Sequence, residues 1–310
     1  MNKDEAHNLC FNGVGGVTLI PGSFDYVAAN TIPQAIALLE QYGDEAKILA
    51  GGQSLIPLLR FRLAGPSILI DINRIQDLEY IQETDGVLHI GALTREAELE
   101  QIPFIRKRYP ILIDTSTMVA DPVVRNWATV GGNLAHADPA NDHPATMLAL
   151  GASIVVQGSG GQRIIPIDEF FTDSTFETTL QPLEILTEIR IPAPPEHSGG
   201  AYFKLERKVG DYGIAGVAVY LTFDDQGLVA SAGIGLTNVG PYPIKARDAE
   251  QFLLGKQLDA AIIHQAADLA VAAARPNSDS RGPADYKRAM VHVLCIRALH
   301  KALARANGEE

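Results

Sequence analysis

The first clear periodicity lies in residues 32–42, where Ala35, Ile36, Leu38 and Leu39 fall at helical spacing, with Thr31 placed to cap the start and Gly43 to stop it. Residues 46–49 are a short apolar run that predicts a buried strand, residues 56–62 a short helix, and 67–73 a second strand. Residues 78–92 alternate about Asp85-Gly86, the signature of a hairpin. Residues 94–118 carry a helical pattern broken at Pro103 and Pro110. The densest proline and glycine cluster, Ile191-Pro-Ala-Pro-Pro-Glu-His-Ser-Gly-Gly200, marks a boundary. Three alternating strands follow at 201–208, 215–223 and 229–237, then three helical segments at 244–254, 260–274 and 284–306. The last has an apolar face through Met290, Val291, Val293, Leu294, Ala298 and Leu299 wide enough to pack on a sheet.

This order predicts an α+β protein. Residues 1–18 read as a flexible extension, 19–73 and 74–192 as two small α/β units, and 200–306 as an antiparallel sheet with helices on one face. No internal repeat and no low-complexity tract is present.

Composition narrows the function. A formal net charge of −12 argues against nucleic acid or an anionic membrane, which both need a basic face. No apolar run is long enough to span a bilayer, and acids at Asp4 and Glu5 exclude a signal peptide. Only two cysteines, Cys10 and Cys295, are present, which rules out a disulfide framework and points to the cytoplasm. They are also too few for a 2Fe–2S centre, which takes four. Cys295, between Leu294 and Ile296 in the last helix, reads as core packing.

Three segments carry candidate chemistry. In Lys47-Ile-Leu-Ala-Gly-Gly-Gln-Ser-Leu55, glycines after an apolar run let backbone amides approach a phosphate closely. Helix-start amides and dipole would add to this, although a plain tight turn fits the same residues. Gly52-Gln-Ser-Leu-Ile56 lacks the second glycine of a nucleophile elbow, so Ser54 is not a hydrolase serine. The second segment, Thr129 to Asp142, holds Gly131, Gly132, Asn133, His136, Asp138 and Asp142, with His143 next to it. A metal set from His136, Asp138 and His143 lacks known ligand spacing, and a polar loop satisfying its own turns is the plain alternative. The third, Lys204-Leu-Glu-Arg-Lys-Val-Gly-Asp-Tyr212, would set Lys204 against negative charge and Tyr212 against a flat ring, or else be a solvated strand face. Neither G-x-G-x-x-G in its strand–helix context nor a P-loop occurs.

Taken in order, these segments and Leu69-Ile-Asp-Ile-Asn-Arg74, Ala120-Asp-Pro-Val-Val-Arg-Asn126 and Ala284-Asp-Tyr-Lys287 give the chain a resemblance from about Ile20 onward. It resembles the FAD-binding medium subunits of three-subunit molybdenum hydroxylases, the xanthine-oxidase family, and is similar in particular to the carbon-monoxide dehydrogenase medium subunits. The resemblance implies a two-part FAD domain of vanillyl-alcohol-oxidase (PCMH) type and a C-terminal domain of the CO dehydrogenase flavoprotein type. It implies that Lys47, Ala50, Gly51, Gly52, Gln53, Ser54 and Leu55 lie on one side of the FAD, and Val119, Ala120, Thr129, Gly132, Asn133 and Asp138 on the other. Leu186, Lys204 and Tyr212 would approach from beyond, with Tyr212 near the isoalloxazine. The family often has Arg-Gly where this chain has Trp127-Ala128.

The implied role is electron transfer. A small subunit with two 2Fe–2S clusters would feed the flavin, a large molybdopterin subunit would oxidise the substrate, and the flavin would serve an external acceptor. The expected assembly is a dimer of heterotrimers, and this chain needs no catalytic base or metal of its own. A stand-alone FAD-dependent oxidase or reductase of the same fold is the alternative.

Overall fold

Twelve strands form three sheets in the computed structural model, which describes residues 20–309. The expected N-terminal extension, residues 1–18 with Cys10, lies outside the described residues. The first sheet joins β1 (Asp25–Ala28), β2 (Ala46–Leu49) and β3 (Ile68–Asp71) in the order β1-β3-β2, all parallel. Parallel neighbours need crossovers, and the helices Ile32–Tyr42 and Leu55–Arg60 supply them. The first of these is built as its sequence predicts. Thr31 accepts a hydrogen bond from the Gln34 amide, Ala35, Ile36 and Leu39 are buried, and Gly43 ends the helix at φ +51°.

The second sheet is antiparallel and contains β4 (Ile81–Thr84), β5 (Val87–Gly91), β6 (Ser153–Gly158), β7 (Gly161–Pro166) and β8 (Ile185–Pro192). The order β4-β5-β8-β6-β7 places β8 between β5 and β6. Asp85 and Gly86 both have positive φ, as a two-residue type I′ hairpin between β4 and β5 requires. Pro103 and Pro110 each open a new helix, so residues 96–118 make three helices in succession.

The third sheet, β9 (Ser198–Leu205), β10 (Ala215–Phe223), β11 (Val229–Thr237) and β12 (Ile244–Lys245), runs antiparallel in the order β12-β11-β10-β9. Some expected boundaries shift. β9, expected over 201–208, lies three residues earlier at both ends, because its register with β10 runs from Ala215↔Leu205 to Thr222↔Ser198. Residues 244–245, expected in a helix, pair instead with Leu236 and Gly235, and the helix starts at Arg247.

The helices Arg247–Leu253, Ala260–Ala273 and Ala284–Ala306 bury Leu253, Ala267, Val291 and Leu299 in one cluster with Val217, Ile234 and Leu236 of the sheet. Its opposite face is covered as well, by a helix the chain pattern did not assign to it, His143–Leu150. Every residue of that helix is buried. A Cβ at Gly233 or Gly235 would meet the Ala149 or Ala145 carbonyl oxygen at 1.9 or 2.0 Å, so the helix backbone rests directly on β11. This contact binds the third sheet to the second unit.

Candidate functional site

A cleft of about 750 Å³ takes its walls from all three units. β2 delivers the first wall. The chain leaves Leu49, turns through Gly52 at φ +73° and enters the helix Leu55–Arg60. The amides of Gly51, Gly52, Gln53, Ser54 and Leu55 find no acceptor among the described residues, and the Ser54 side chain caps nothing. Successive unpaired amides in a turn form a concave anion site. Six helical residues carry little macrodipole, so the local N–H groups supply the attraction.

The second wall differs from the expected loop. Gly131 and Gly132 lie within the helix Val130–His136, despite the cost of glycine at helical positions. Packing outweighs that cost, because a Cβ at Gly131 would come within 2.8 Å of Ala92 backbone atoms. The amides here are also spoken for: Val130 donates to Thr94, Gly131 to Ala92, Gly132 to the Thr129 hydroxyl and Asn133 to the Thr129 carbonyl. What this wall offers is the Asn133 side chain, whose buried Oδ1 has no hydrogen-bond partner among the described residues.

Two polar side chains lock the walls together. Arg95 donates to the Trp127 carbonyl at 2.7 Å and to Asn73 Oδ1 at 2.8 Å, and Asn73 donates to the Ala50 carbonyl at 2.8 Å. The approach is so close that a Cβ at Gly51 would sit 2.1 Å from the Trp127 carbonyl oxygen. Trp127 thus contributes its backbone here, while its side chain stands at 57% exposure off the cleft wall.

The far end comes from β9 and the turn after it. Lys204 is buried and donates to the Met118 carbonyl at 2.6 Å, Asp142 Oδ2 at 3.2 Å and the Asp211 carbonyl at 3.2 Å. Its charge is therefore answered within the protein. Tyr202 donates to the other Asp142 oxygen at 2.6 Å. Burial raises the Asp142 carboxyl, opposed by the Lys204 charge and the Tyr202 hydroxyl. Tyr212 is partly exposed on the wall, with its phenol raised by burial and then by the nearby Asp138 charge.

The structure brings together Lys47, Ala50, Gly51, Gly52, Gln53, Ser54, Leu55, Val119, Ala120, Thr129, Gly132, Asn133, Leu186, Lys204 and Tyr212 around this one space. Asp138 stands behind the wall, where its carboxylate accepts from the Ala140 amide at 2.8 Å. The three residues weighed as metal ligands do not converge. His136 stacks on Phe176 at 5.2 Å, Asp138 holds its turn, and His143 is fully buried with Nε2 2.6 Å from Glu96 Oε2. Burial lowers the His136 pKa, and nearby Lys47 lowers it further against Asp138. Sequence reasoning missed Asn73, Arg95 and the Phe176 segment beside the cleft. Each acts through a partner more than twenty residues away, or through one ring contact, so no local spacing reveals it.

Residues 22–194 match the FAD binding domain in molybdopterin dehydrogenase, and residues 200–302 the CO dehydrogenase flavoprotein C-terminal domain. The chain belongs to this family of FAD-binding medium subunits. It is 43% identical to the carbon monoxide dehydrogenase medium chain of Hydrogenophaga pseudoflava, over 93% of this chain and 99% of that one. It is 41% identical to the 6-hydroxypseudooxynicotine dehydrogenase complex subunit alpha of Paenarthrobacter nicotinovorans, over 92% and 96%. A solved carbon monoxide dehydrogenase structure from Hydrogenophaga pseudoflava matches with TM-score 0.89 and 45% identity, covering 92% of this chain and 99% of that chain.

The donor set suits the dianionic pyrophosphate and polar edges of a dinucleotide. Unpaired amides on one wall can donate to phosphate oxygens, while the orphaned Asn133 Oδ1 on the other can accept from a hydroxyl or N–H edge. A Cβ at Gly51 would press into the Trp127 carbonyl where the two walls meet. Among the described residues no helix is long and apolar enough to cross a membrane.

Proposed function

We propose that this chain holds one FAD in the cleft and serves as the electron-transfer flavoprotein of a three-subunit molybdenum hydroxylase. The carrying observation is the run of unpaired amides from Gly51 to Leu55 on the cleft wall, with Gly51 packed so closely on the Trp127 backbone that no side chain fits there. In this reading those amides hold the pyrophosphate, while Thr129 and Asn133 fix the cofactor from the second wall. Leu186 offers apolar contact, and Tyr212 covers the ring end. Lys204 keeps its ammonium on Asp142 and two carbonyls, so it shapes the local field and holds the third sheet against the cleft. Asp138 acts from behind, through the turn that sets Ala140.

Bound FAD supplies the interchange between one-electron and two-electron transfer. The chain's own residues position it, exclude water from its pyrophosphate and leave one end accessible to partners. Electrons would enter from the 2Fe–2S clusters of a small subunit, after substrate oxidation on a large molybdopterin subunit, and leave to an external acceptor. The scarcity of cysteine supports clusters carried elsewhere and a reducing, cytoplasmic setting.

Two experiments test this. Expressed with its neighbouring subunits, the chain should co-purify with an iron–sulfur and a molybdenum protein; a flavin-loaded chain that purifies alone and turns over a substrate would instead favour a self-sufficient oxidase. Tyr212→Ala should change the flavin absorbance or acceptor kinetics with the fold intact, and no change in either removes Tyr212 from the site.

A further inference from the structure

The phenol of Tyr212 makes no hydrogen bond among the described residues, so nothing at its own tip fixes the ring. What touches the ring is Arg281, whose guanidinium carbon lies 5.4 Å from the ring centroid. The same guanidinium reaches the residue before the ring: Arg281 Nη2 is 3.6 Å from Asp211 Oδ1, and that oxygen also accepts the Tyr212 amide at 2.9 Å. Arg281 therefore grips both the ring and the carboxylate that holds its backbone. Its Nε is buried and donates to nothing among the described residues, which leaves the ring and Asp211 as the groups that answer its charge.

Arg281 is itself held by a short, closed turn. Asp279 Oδ1 accepts from the Arg281 amide at 2.8 Å and the Gly282 amide at 3.2 Å, an Asx arrangement. Backbone bonds between Asp279 and Gly282 run in both directions. Asp279 Oδ2 is tied to Lys287, whose side chain is 3% exposed in the helix Ala284–Ala306. Ser278 Oγ accepts from the Ala284 amide at 2.9 Å, which fixes the entry to that helix. A rigid path thus runs from the long C-terminal helix through Lys287, Asp279 and the turn to the tip of Arg281.

We propose that Arg281 is a positioning residue for Tyr212, with the C-terminal helix as its anchor. A guanidinium over an aromatic face attracts the ring quadrupole and limits the ring's rotation. The Asp211 contact keeps the guanidinium from swinging away to solvent. Arg281 does not line the cleft, so it acts on a bound cofactor only through Tyr212. The consequence for the flavin rests on the reading above, in which Tyr212 covers the ring end.

Two measurements on the full-length chain separate the two ideas. In the flavin-free protein with ¹³C-labelled tyrosine, the Tyr212 ring signal is identified by its loss in Tyr212→Phe. In Arg281→Leu it should shift and sharpen toward the position of a freely rotating ring, and Arg281→Lys should return part of the shift. An unchanged Tyr212 signal in Arg281→Leu, with the melting temperature unchanged, overturns the inference. In the FAD-loaded protein, a tyrosine close to the ring quenches flavin fluorescence, so Arg281→Leu should raise emission at least twofold and broaden its lifetimes at equal flavin content. Tyr212→Ala should raise it further. No rise in Tyr212→Ala overturns the placement of Tyr212 at the flavin, whereas a rise there and none in Arg281→Leu overturns the role of Arg281.

Discussion

Arg95 and Trp127 meet at 2.7 Å, guanidinium to backbone carbonyl, at the point where the two walls of the cleft are closest. The same guanidinium reaches Asn73 and, through it, the carbonyl of Ala50. Arg95, with Asn73, therefore ties the first glycine turn to the second wall where their backbones pack together.

Arg95→Leu should loosen that contact. Hydrogen bonds to a charged group contribute about 1.5–3 kcal/mol, and partial exposure of this one favours the lower end. Urea unfolding should show a loss of about 1–2 kcal/mol, and FAD titration a Kd about tenfold weaker, the equivalent of ~1.4 kcal/mol. Unchanged affinity would mean that the walls keep their spacing without this tie.

Lys204 and Asp142 should behave as a buried pair. Lys204→Met strands a buried carboxylate that Tyr202 alone then satisfies, a change worth about 3–5 kcal/mol. Equilibrium unfolding measures it, and the double variant Lys204→Met/Asp142→Leu should recover part of the loss, because Asp142 no longer leaves a stranded charge. Glu206, whose Oε2 lies 3.4 Å from Lys204, keeps the recovery incomplete. Equal destabilisation by the single and double variants would contradict the pairing.

How much of this was legible from the chain differs by element. The helix Ile32–Tyr42 and the Asp85-Gly86 hairpin were plain, since local spacing, a cap and turn residues decide them. The α+β class and the FAD-binding family also followed from the segments and their order. Gly131-Gly132 misled because glycine pairs usually mark loops, whereas here the contact with Ala92 demands glycine inside a helix. The short strand Ile244–Lys245 was hidden because pairing with Leu236 and Gly235, not local pattern, makes it a strand. The helix His143–Leu150 follows the polar segment and received no element from the pattern; its burial from every side arises only when the third sheet packs against it. Arg95 and Arg281 carry no local signature at all. Their partners are brought to them by the fold.

Glu96 and His143 give the protein a pH-dependent element. Burial opposes charge on the His143 ring, but the Glu96 carboxylate 2.6 Å away, by its charge and hydrogen bond, raises the folded-state pKa above the ordinary 6.5. A raised histidine pKa stabilises fully below the unfolded value and loses that contribution as pH rises through the folded value. Thermal stability should therefore decline as pH rises above 6.5. In His143→Gln the decline over that window should be shallower. Parallel pH profiles for the two proteins would contradict the assignment.

Cys295 should be inert in the native chain. Burial among apolar neighbours pushes its thiol up to about 12, so almost no thiolate exists at neutral pH. In a Cys10→Ser background, a maleimide should label nothing until denaturant is added. Labelling of the native protein at a rate above that of global unfolding would show that the C-terminal helix opens locally.

Gly51 offers the most direct test of the cleft as an FAD site. Titration of the flavin-free chain should saturate at one FAD per chain. Gly51→Ala should weaken binding by at least about tenfold, ~1.4 kcal/mol, because its Cβ would fall 2.1 Å from the Trp127 carbonyl and displace the amides beside it. Gly22→Ala, where a Cβ meets nothing within 4 Å, should bind as the parent does. FAD binding of equal strength in the parent chain and in Gly51→Ala would contradict the cleft as the site.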